Sequence, residues 1–132
     1  MERSYASIEG PDVLRWVLVG TVSVDDVQRL FAEELEFCRD KRFIYVLVDM
    51  RRMVHIDSAA RRAAGRSPLL NGKPLPVDGI AIVGGSQSLR LLGKMINKAA
   101  ALLKNKPEAS LEFFDEYERA MSWFDARRSM KK

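Results

Sequence analysis

Hydrophobic and polar residues alternate along the chain in two patterns, which predicts strands and helices in succession. Residues 4–9 and 13–19 fit two short strands, and the turn residues between them predict an antiparallel hairpin. Residues 43–48 form a continuous apolar run, the pattern of a strand that helices cover on both faces of a sheet. Branched and aromatic residues predict two further strands, at residues 77–83 and 111–114.

Four helices are predicted to connect and follow these strands. The first begins at Ser23, whose hydroxyl can cap the free amides of the first turn, and its apolar stripe faces the sheet. The second covers about residues 58–65, with Asp57 as its cap. The third follows the fourth strand. The last begins at Asp115, which forms an acidic capping box with Glu118.

The alternation of strands and helices predicts an α/β domain. We expect a mixed sheet of about five strands, which begins with the antiparallel hairpin, and four helices packed mainly on one face of the sheet. Residues 51–56 are predicted to form a basic loop, and residues 66–76 a loop broken by proline and glycine. No repeat or linker divides the sequence, so residues 1–132 are expected to form one domain.

The composition is that of an ordinary globular domain: 132 residues, 47% hydrophobic and 30% charged. No apolar segment approaches the roughly 20 residues of a membrane-spanning helix, and the N-terminus has no signal pattern, so we expect a cytoplasmic protein. The single Cys38 excludes an internal disulfide. Together with the single His55 it also excludes the common zinc sites, so no metal or cofactor is expected.

Basic residues concentrate in the middle of the chain, where residues 51–73 contain six of them against one acid, Asp57. Residues 25–36 are acidic instead, and such asymmetry can attract an anionic partner. Two solvated helix faces are the alternative. No nucleic acid is expected, because no recognition motif accompanies the charges. On the third helix, three cations at four-residue intervals are candidates for an anion or ligand site: Arg90, Lys94 and Lys98.

The passage from the apolar strand into the second helix is the most informative stretch. The strand ends in Asp49, and after the basic segment Asp57 and Ser58 start the helix. A phosphate on Ser58 would lie near unpaired amides and the positive end of the helix dipole, with arginines nearby. The alternative is that the two residues only begin the helix, which is their commonest role.

His55 lies three residues before Ser58, which suggests a base and a nucleophile. Such a pair needs a third group that orients the histidine, and neither this group nor a G-x-S-x-G turn is present in the sequence. The sequence therefore predicts no catalytic residues and no enzyme, and a hydrolase is the least supported function.

The stretch VLVDMRRMVHIDSAA resembles the signature of STAS domains, the bacterial anti-sigma-factor antagonists and their relatives. In these domains a buried strand ends in Asp, a short loop follows, and an Asp-Ser pair starts the next helix. Asp49, Asp57 and Ser58 lie at these positions. Most of the remaining chain resembles the SpoIIAA-like branch, which groups STAS-type proteins with lipid-binding proteins.

The resemblance implies that Ser58 is phosphorylated by a partner kinase that is itself an anti-sigma factor, and that phosphorylation abolishes binding. Two features differ from that pattern. Ala59 and Ala60 replace the usual small hydroxyl residue and glycine, and the preceding segment is more basic than in the antagonists.

We therefore expect a non-enzymatic regulatory module that docks to a protein partner. The alternative, implied by the lipid-binding relatives, is a carrier or sensor of an apolar or anionic small molecule, with basic residues of the second and third helices at the mouth of its cavity. Trp123 and Phe124 adjoin on the last helix, so one of them is expected to be partly exposed, as an anchor for a partner or a homodimer. The predicted partner-binding residues are Asp49, Arg51, Arg52, His55, Asp57, Ser58, Arg61 and Arg62.

Overall fold

The computed structural model describes residues 2–86, 90–91, 94, 98 and 110–131 of the chain. Its seven strands are β1 Tyr5–Gly10, β2 Val13–Val22, β3 Ile44–Ile56, β4 Leu69–Leu70, β5 Lys73–Pro74, β6 Val77–Val83 and β7 Ser110–Phe114. Three helices have described bounds: α1 Val24–Cys38, α2 Ser58–Ala64 and α3 Tyr117–Ser129.

Five of these strands form one mixed sheet in the order β1-β2-β3-β6-β7. β1 pairs antiparallel with β2, which confirms the predicted hairpin, and the other three pairings are parallel. The long strand β3 lies at the centre between β2 and β6. The predicted fold class, an α/β domain with a five-stranded mixed sheet, is confirmed.

Both faces of β3 are buried, because its apolar run places alternate side chains on opposite sides of the sheet. Ile44 and Val46 belong to the core beneath α1 and α2, whereas Tyr45 and Leu47 belong to the core beneath α3. The ring of Tyr45 stacks on that of Phe124, with centroids 4.8 Å apart. α1 and α2 therefore share one face of the sheet, and α3 covers the other.

The predicted cap is present at the start of α1, but the capping box predicted for the last helix is absent. Ser23 and Asp26 form a reciprocal capping box at the start of α1, as the serine predicted. The box expected at Asp115 does not form, because the side chain of Asp115 pairs with Arg90 and α3 begins only after Glu116.

Most of the predicted third helix lies outside the described residues, and its described members (Arg90, Leu91, Lys94 and Lys98) are helical.

Residues 51–56 are strand and not loop, which corrects the prediction. β2 continues to Val22, and its last residues pair with the extended end of β3, where Val22 lies opposite Ile56. Gly20, the first residue beyond the predicted strand 13–19, adopts φ +61 at an irregularity in this pairing, and β2 continues past it. The burial of Ile56 stabilises this two-stranded extension.

The segment predicted as a broken loop, residues 66–76, contains the small hairpin β4–β5. Asn71 and Gly72 form its turn with φ values of +53 and +77, the combination that a tight two-residue hairpin turn requires. The hairpin precedes Leu75, whose buried side chain joins the core beneath α1 and α2.

Candidate functional site

Ser58 is the first residue of α2 and is exposed to solvent. The start of the helix is held by the backbone of Asp57, whose N–H donates to the carbonyl of Val22 over 3.1 Å and whose carbonyl accepts from the N–H of Arg61 over 2.9 Å. The side chain of Asp57 makes no capping hydrogen bond, although the sequence predicted one. The end of β2, and not the Asp57 carboxylate, therefore determines where Ser58 stands.

His55 is exposed near the end of β3, with its Nε2 3.9 Å from Oδ1 of Asp57. No hydrogen bond joins His55 to Ser58 in the described part of the chain. The arrangement therefore provides neither the contact nor the ordered third group that a nucleophile and base require.

The arginines of α2 have no carboxylate partner among the residues that the structure describes. Arg51 and Arg52, in the second half of β3, each form an ion pair. Within the described ranges, by contrast, no ion pair is formed by Arg61, Arg62 or Arg66, and the Nε atom of Arg61 is buried without a hydrogen-bond partner. The positive charge of this helix is therefore available to a binding partner.

The acidic helix α1 packs beside α2, and three of its carboxylates, those of Asp25, Asp26 and Glu36, pair with arginines outside α2. Asp26 accepts from Arg29 over 2.6 Å and Asp25 from Arg3 over the same distance. The charge asymmetry of the sequence is thus retained in space. We call His55, Asp57, Ser58, Arg61 and Arg62 the α2 surface.

An open groove runs between α1 and α2, with a volume of about 560 Å³. Its floor is apolar: Phe31 and Leu35 pack on the core, and the ring of Phe31 meets that of Trp16 edge-on at 5.1 Å. Alanines keep the groove open between larger side chains. Its lining residues, which define the α1–α2 groove, are Val24, Gln28, Phe31, Ala32, Leu35, Ala59, Arg62, Ala63, Arg66 and Pro68.

The predicted cations of the third helix lie at a separate depression of about 480 Å³. The charged groups of Arg90 and Lys94 lie 5.6 Å and 5.3 Å from the ring centroid of Phe113, within cation–π distance. Arg90 also donates to Asp115 over 2.9 Å. Lys98 is exposed and does not line this depression. The cations of α2 and of the third helix therefore do not share the mouth of one cavity.

Asp49 lies away from the α2 surface, on the face of the sheet that α3 covers. Its carboxylate is 4% exposed and is held by two arginines. Arg15 donates to it over 2.6 Å, and the side chain of Arg51 donates over 2.9 Å and 2.7 Å. The absence of a side chain at Gly84 leaves space for the side chain of Arg51, because a Cβ at this position would lie 2.8 Å from the Cγ of Arg51. The predicted contact of Asp49 with a partner does not fit this burial.

The ion pairs of Asp49 belong to a larger network that joins the edge strand β1 to α3. Arg15 also donates to Glu9 over 3.3 Å, and the carboxylate of Glu9 accepts from the hydroxyl of Tyr117 over 2.8 Å. Burial alone would raise the pKa of Asp49, but the hydrogen bonds from Arg51 and Arg15 outweigh it and hold that pKa well below its usual range. The network is therefore an ionised anchor between strands and helix.

The described residues contain neither a metal-binding cluster nor a membrane-spanning helix. No three His, Cys, Asp or Glu side chains in these ranges lie close enough together to hold a metal ion. None of the helices that the structure describes has the length and apolar character needed to cross a membrane.

The family model for SpoIIAA-like proteins matches residues 13–125, which is most of the chain. The chain belongs to the SpoIIAA-like family. The predicted relationship to STAS-type domains is thereby confirmed. No curated protein matches the chain.

Several solved structures share the fold of this chain at low sequence identity. An uncharacterised protein with a SpoIIAA-like fold from Shewanella loihica PV-4 is 17% identical, with a TM-score of 0.61 over 91% of this chain and 90% of its own. The anti-sigma factor antagonist SpoIIAA in its unphosphorylated form is 11% identical, with a TM-score of 0.58 over 95% and 97%. The phosphorylated form of the Bacillus cell fate determinant SpoIIAA is 11% identical, with a TM-score of 0.53 over 92% of this chain and 98% of its own.

Sequence reasoning missed the α1–α2 groove and the network around Asp49. Ala59 and Ala63 recur at helical spacing on α2, as do Phe31 and Leu35 on α1. This pattern signals a groove only once the two helices are known to be neighbours. For the network, Glu9 and Tyr117 are 108 positions apart in the chain, so no local pattern links them.

The anchor makes a stability prediction. Asp49→Asn should lower the free energy of unfolding by about 2–4 kcal/mol at pH 7, because it leaves two arginine groups without their buried counter-charge. Since the folded pKa of Asp49 is depressed, its contribution is present above the unfolded pKa of about 4 and is lost as the pH falls toward the folded pKa. Urea unfolding from pH 7 down to pH 3 should therefore show the gap between the wild type and the variant shrinking below about pH 4.

Asp115→Asn is the matched control, because it makes the same chemical change in an exposed pair with Arg90. We expect it to cost at most about 0.5 kcal/mol. Equal effects of the two variants, or a gap that does not depend on pH, would contradict the assignment of Asp49 as an ionised anchor.

Proposed function

We propose that the protein is a non-enzymatic regulatory module that binds a protein partner through the α2 surface. The observation that carries this proposal is the positive charge of α2, which no carboxylate of the described residues pairs and which lies on a partly exposed helix beside an open apolar groove. Exposed cations without counter-charges attract an acidic partner and speed its association. The fold shared with the anti-sigma factor antagonist SpoIIAA supports the same class of function.

The carboxylate network at Asp49 serves this function indirectly. It holds the buried part of β3 against its neighbours and against α3, and α2 follows the extended end of the same strand. Arg51 belongs to this anchor, while Arg52 pairs with the N-terminal Glu2. The partner-binding residues that remain in the proposal are therefore those of the α2 surface.

Charge reversal on α2 tests the proposal. Arg62→Glu should weaken the binding of the partner about tenfold or more, because it replaces an attraction by a repulsion without altering the core. The measurement is affinity capture from cells of the source organism, quantified by mass spectrometry, followed by titration of the purified partner. Arg119→Glu makes the same change on α3, at a side chain that is 77% exposed. It should leave binding intact, and equal binding by both variants would refute the α2 surface.

We further propose that phosphorylation of Ser58 regulates the binding of this partner. Ser58 is exposed, follows an extended strand and stands beside arginines, and one structure of SpoIIAA is of a phosphorylated form. A partner kinase of the anti-sigma type would supply the phosphate, and the added charge would offset the cations that attract the partner.

Mass spectrometry of the protein from its native cells should find phosphate on Ser58 and none on Ser129, an exposed helical serine that serves as the control. In the binding titration, Ser58→Asp should weaken the partner's affinity and Ser58→Ala should preserve it. Absence of the modification, together with unaltered binding by Ser58→Asp, would remove phosphorylation from the function.

A carrier of an apolar or anionic small molecule is the second candidate, and the α1–α2 groove is the observation that favours it. Native mass spectrometry of the freshly purified protein should then show an added mass that solvent extraction removes. If the purified protein shows no such added mass, the carrier hypothesis is wrong. The cytoplasmic location and a homodimer stay predictions.

A further inference from the structure

The α1–α2 groove has the length and lining of a docking site for a helix. Its α1 wall extends from Val24 to Leu35, which corresponds to ~17 Å or about three helical turns. The floor between the walls is formed by partly buried Phe31 and Leu35, and the exposed alanines Ala32 and Ala59 leave room for inserted side chains. Such a surface accepts apolar side chains spaced along one stripe of a helix.

The charges of the groove are one-sided. Arg62 and Arg66 lie on its α2 side, and neither forms an ion pair within the described ranges. None of the residues that line the groove is acidic. An occupant with carboxylates along one edge would therefore be attracted and oriented, because its acidic edge can face only the α2 wall.

The openness of the groove favours a helix over an acyl chain. Sites for small ligands usually enclose most of the ligand surface, and a single acyl chain in this trough would keep one side in water. An amphipathic helix needs only one stripe covered, since its polar face remains hydrated when bound. The groove therefore fits a helix better than it fits a lipid.

We propose that the α1–α2 groove binds an amphipathic helix of the partner protein, with apolar residues at spacing i, i+4 and i+7 and acidic residues along the edge that faces Arg62 and Arg66. This inference rests on the proposed function, because it specifies which part of the partner the α2 surface receives. Arg62 belongs to both the surface and the groove.

The test is selection from a display library of helical peptides about three turns long, carried out on the full chain. Enriched peptides should share the apolar spacing and an acidic edge. By fluorescence anisotropy, Arg62→Glu should weaken their binding about tenfold or more, because a carboxylate then faces the acidic edge. Ala32→Glu should weaken it by a similar factor, because a charged side chain then occupies the space that the alanine leaves for the peptide's apolar residues. Binding should also weaken with added salt.

The matched controls are Ala126→Glu and Arg119→Glu, which make the same changes at exposed positions of α3. Both should bind the selected peptides like the wild type, and amide NMR spectra establish that all four variants are folded. Several results overturn the groove: no enriched peptide, enriched peptides without acidic residues, binding unaffected by Ala32→Glu, or a bound lipid-like mass that Ala32→Glu removes.

The partner captured from cells separates this inference from the function on which it rests. If Arg62→Glu abolishes capture and Ala32→Glu does not, the α2 surface stands and the groove is refuted. If neither variant alters capture, the proposed function falls as well. If both variants abolish capture and the α3 controls do not, both proposals hold.

Discussion

The structure depends on the burial of β3 on both faces. Its apolar run places Ile44 and Val46 in one core and Tyr45 and Leu47 in the other, so the strand is the shared wall of two layers. A strand buried in this way cannot slip by one residue without exchanging the two sets of side chains. The position of α2, which follows β3 directly, is therefore tied to the register of the strand.

The two faces of the sheet have different electrostatic roles. Beneath α3, the carboxylate of Asp49 is saturated by hydrogen bonds from Arg15 and Arg51, and such a satisfied network rigidifies its surroundings. Beside α1, the arginines of α2 have no carboxylate partner among the described residues. The paired charges hold the strands together, and the unpaired charges are left for a partner.

The position of Ser58 links these two faces. β3 extends beyond the main sheet as far as Ile56, and the N–H of Asp57 then donates to the carbonyl of Val22 at the end of β2, so the serine directly follows a hydrogen-bonded pair of strands. The proposed phosphate on Ser58 would alter the charge of the α2 surface.

The sequence by itself determined the α/β class, the N-terminal hairpin, the capped start of α1 and the two-sided burial of residues 43–48, because period, turn chemistry and capping are local properties. It also identified the Asp57–Ser58 passage. The tertiary structure decided that residues 51–56 are strand, that Asp49 is an anchor away from α2, and that α1 and α2 enclose a groove. These features depend on pairing between distant residues such as Val22 and Ile56, which no local pattern encodes.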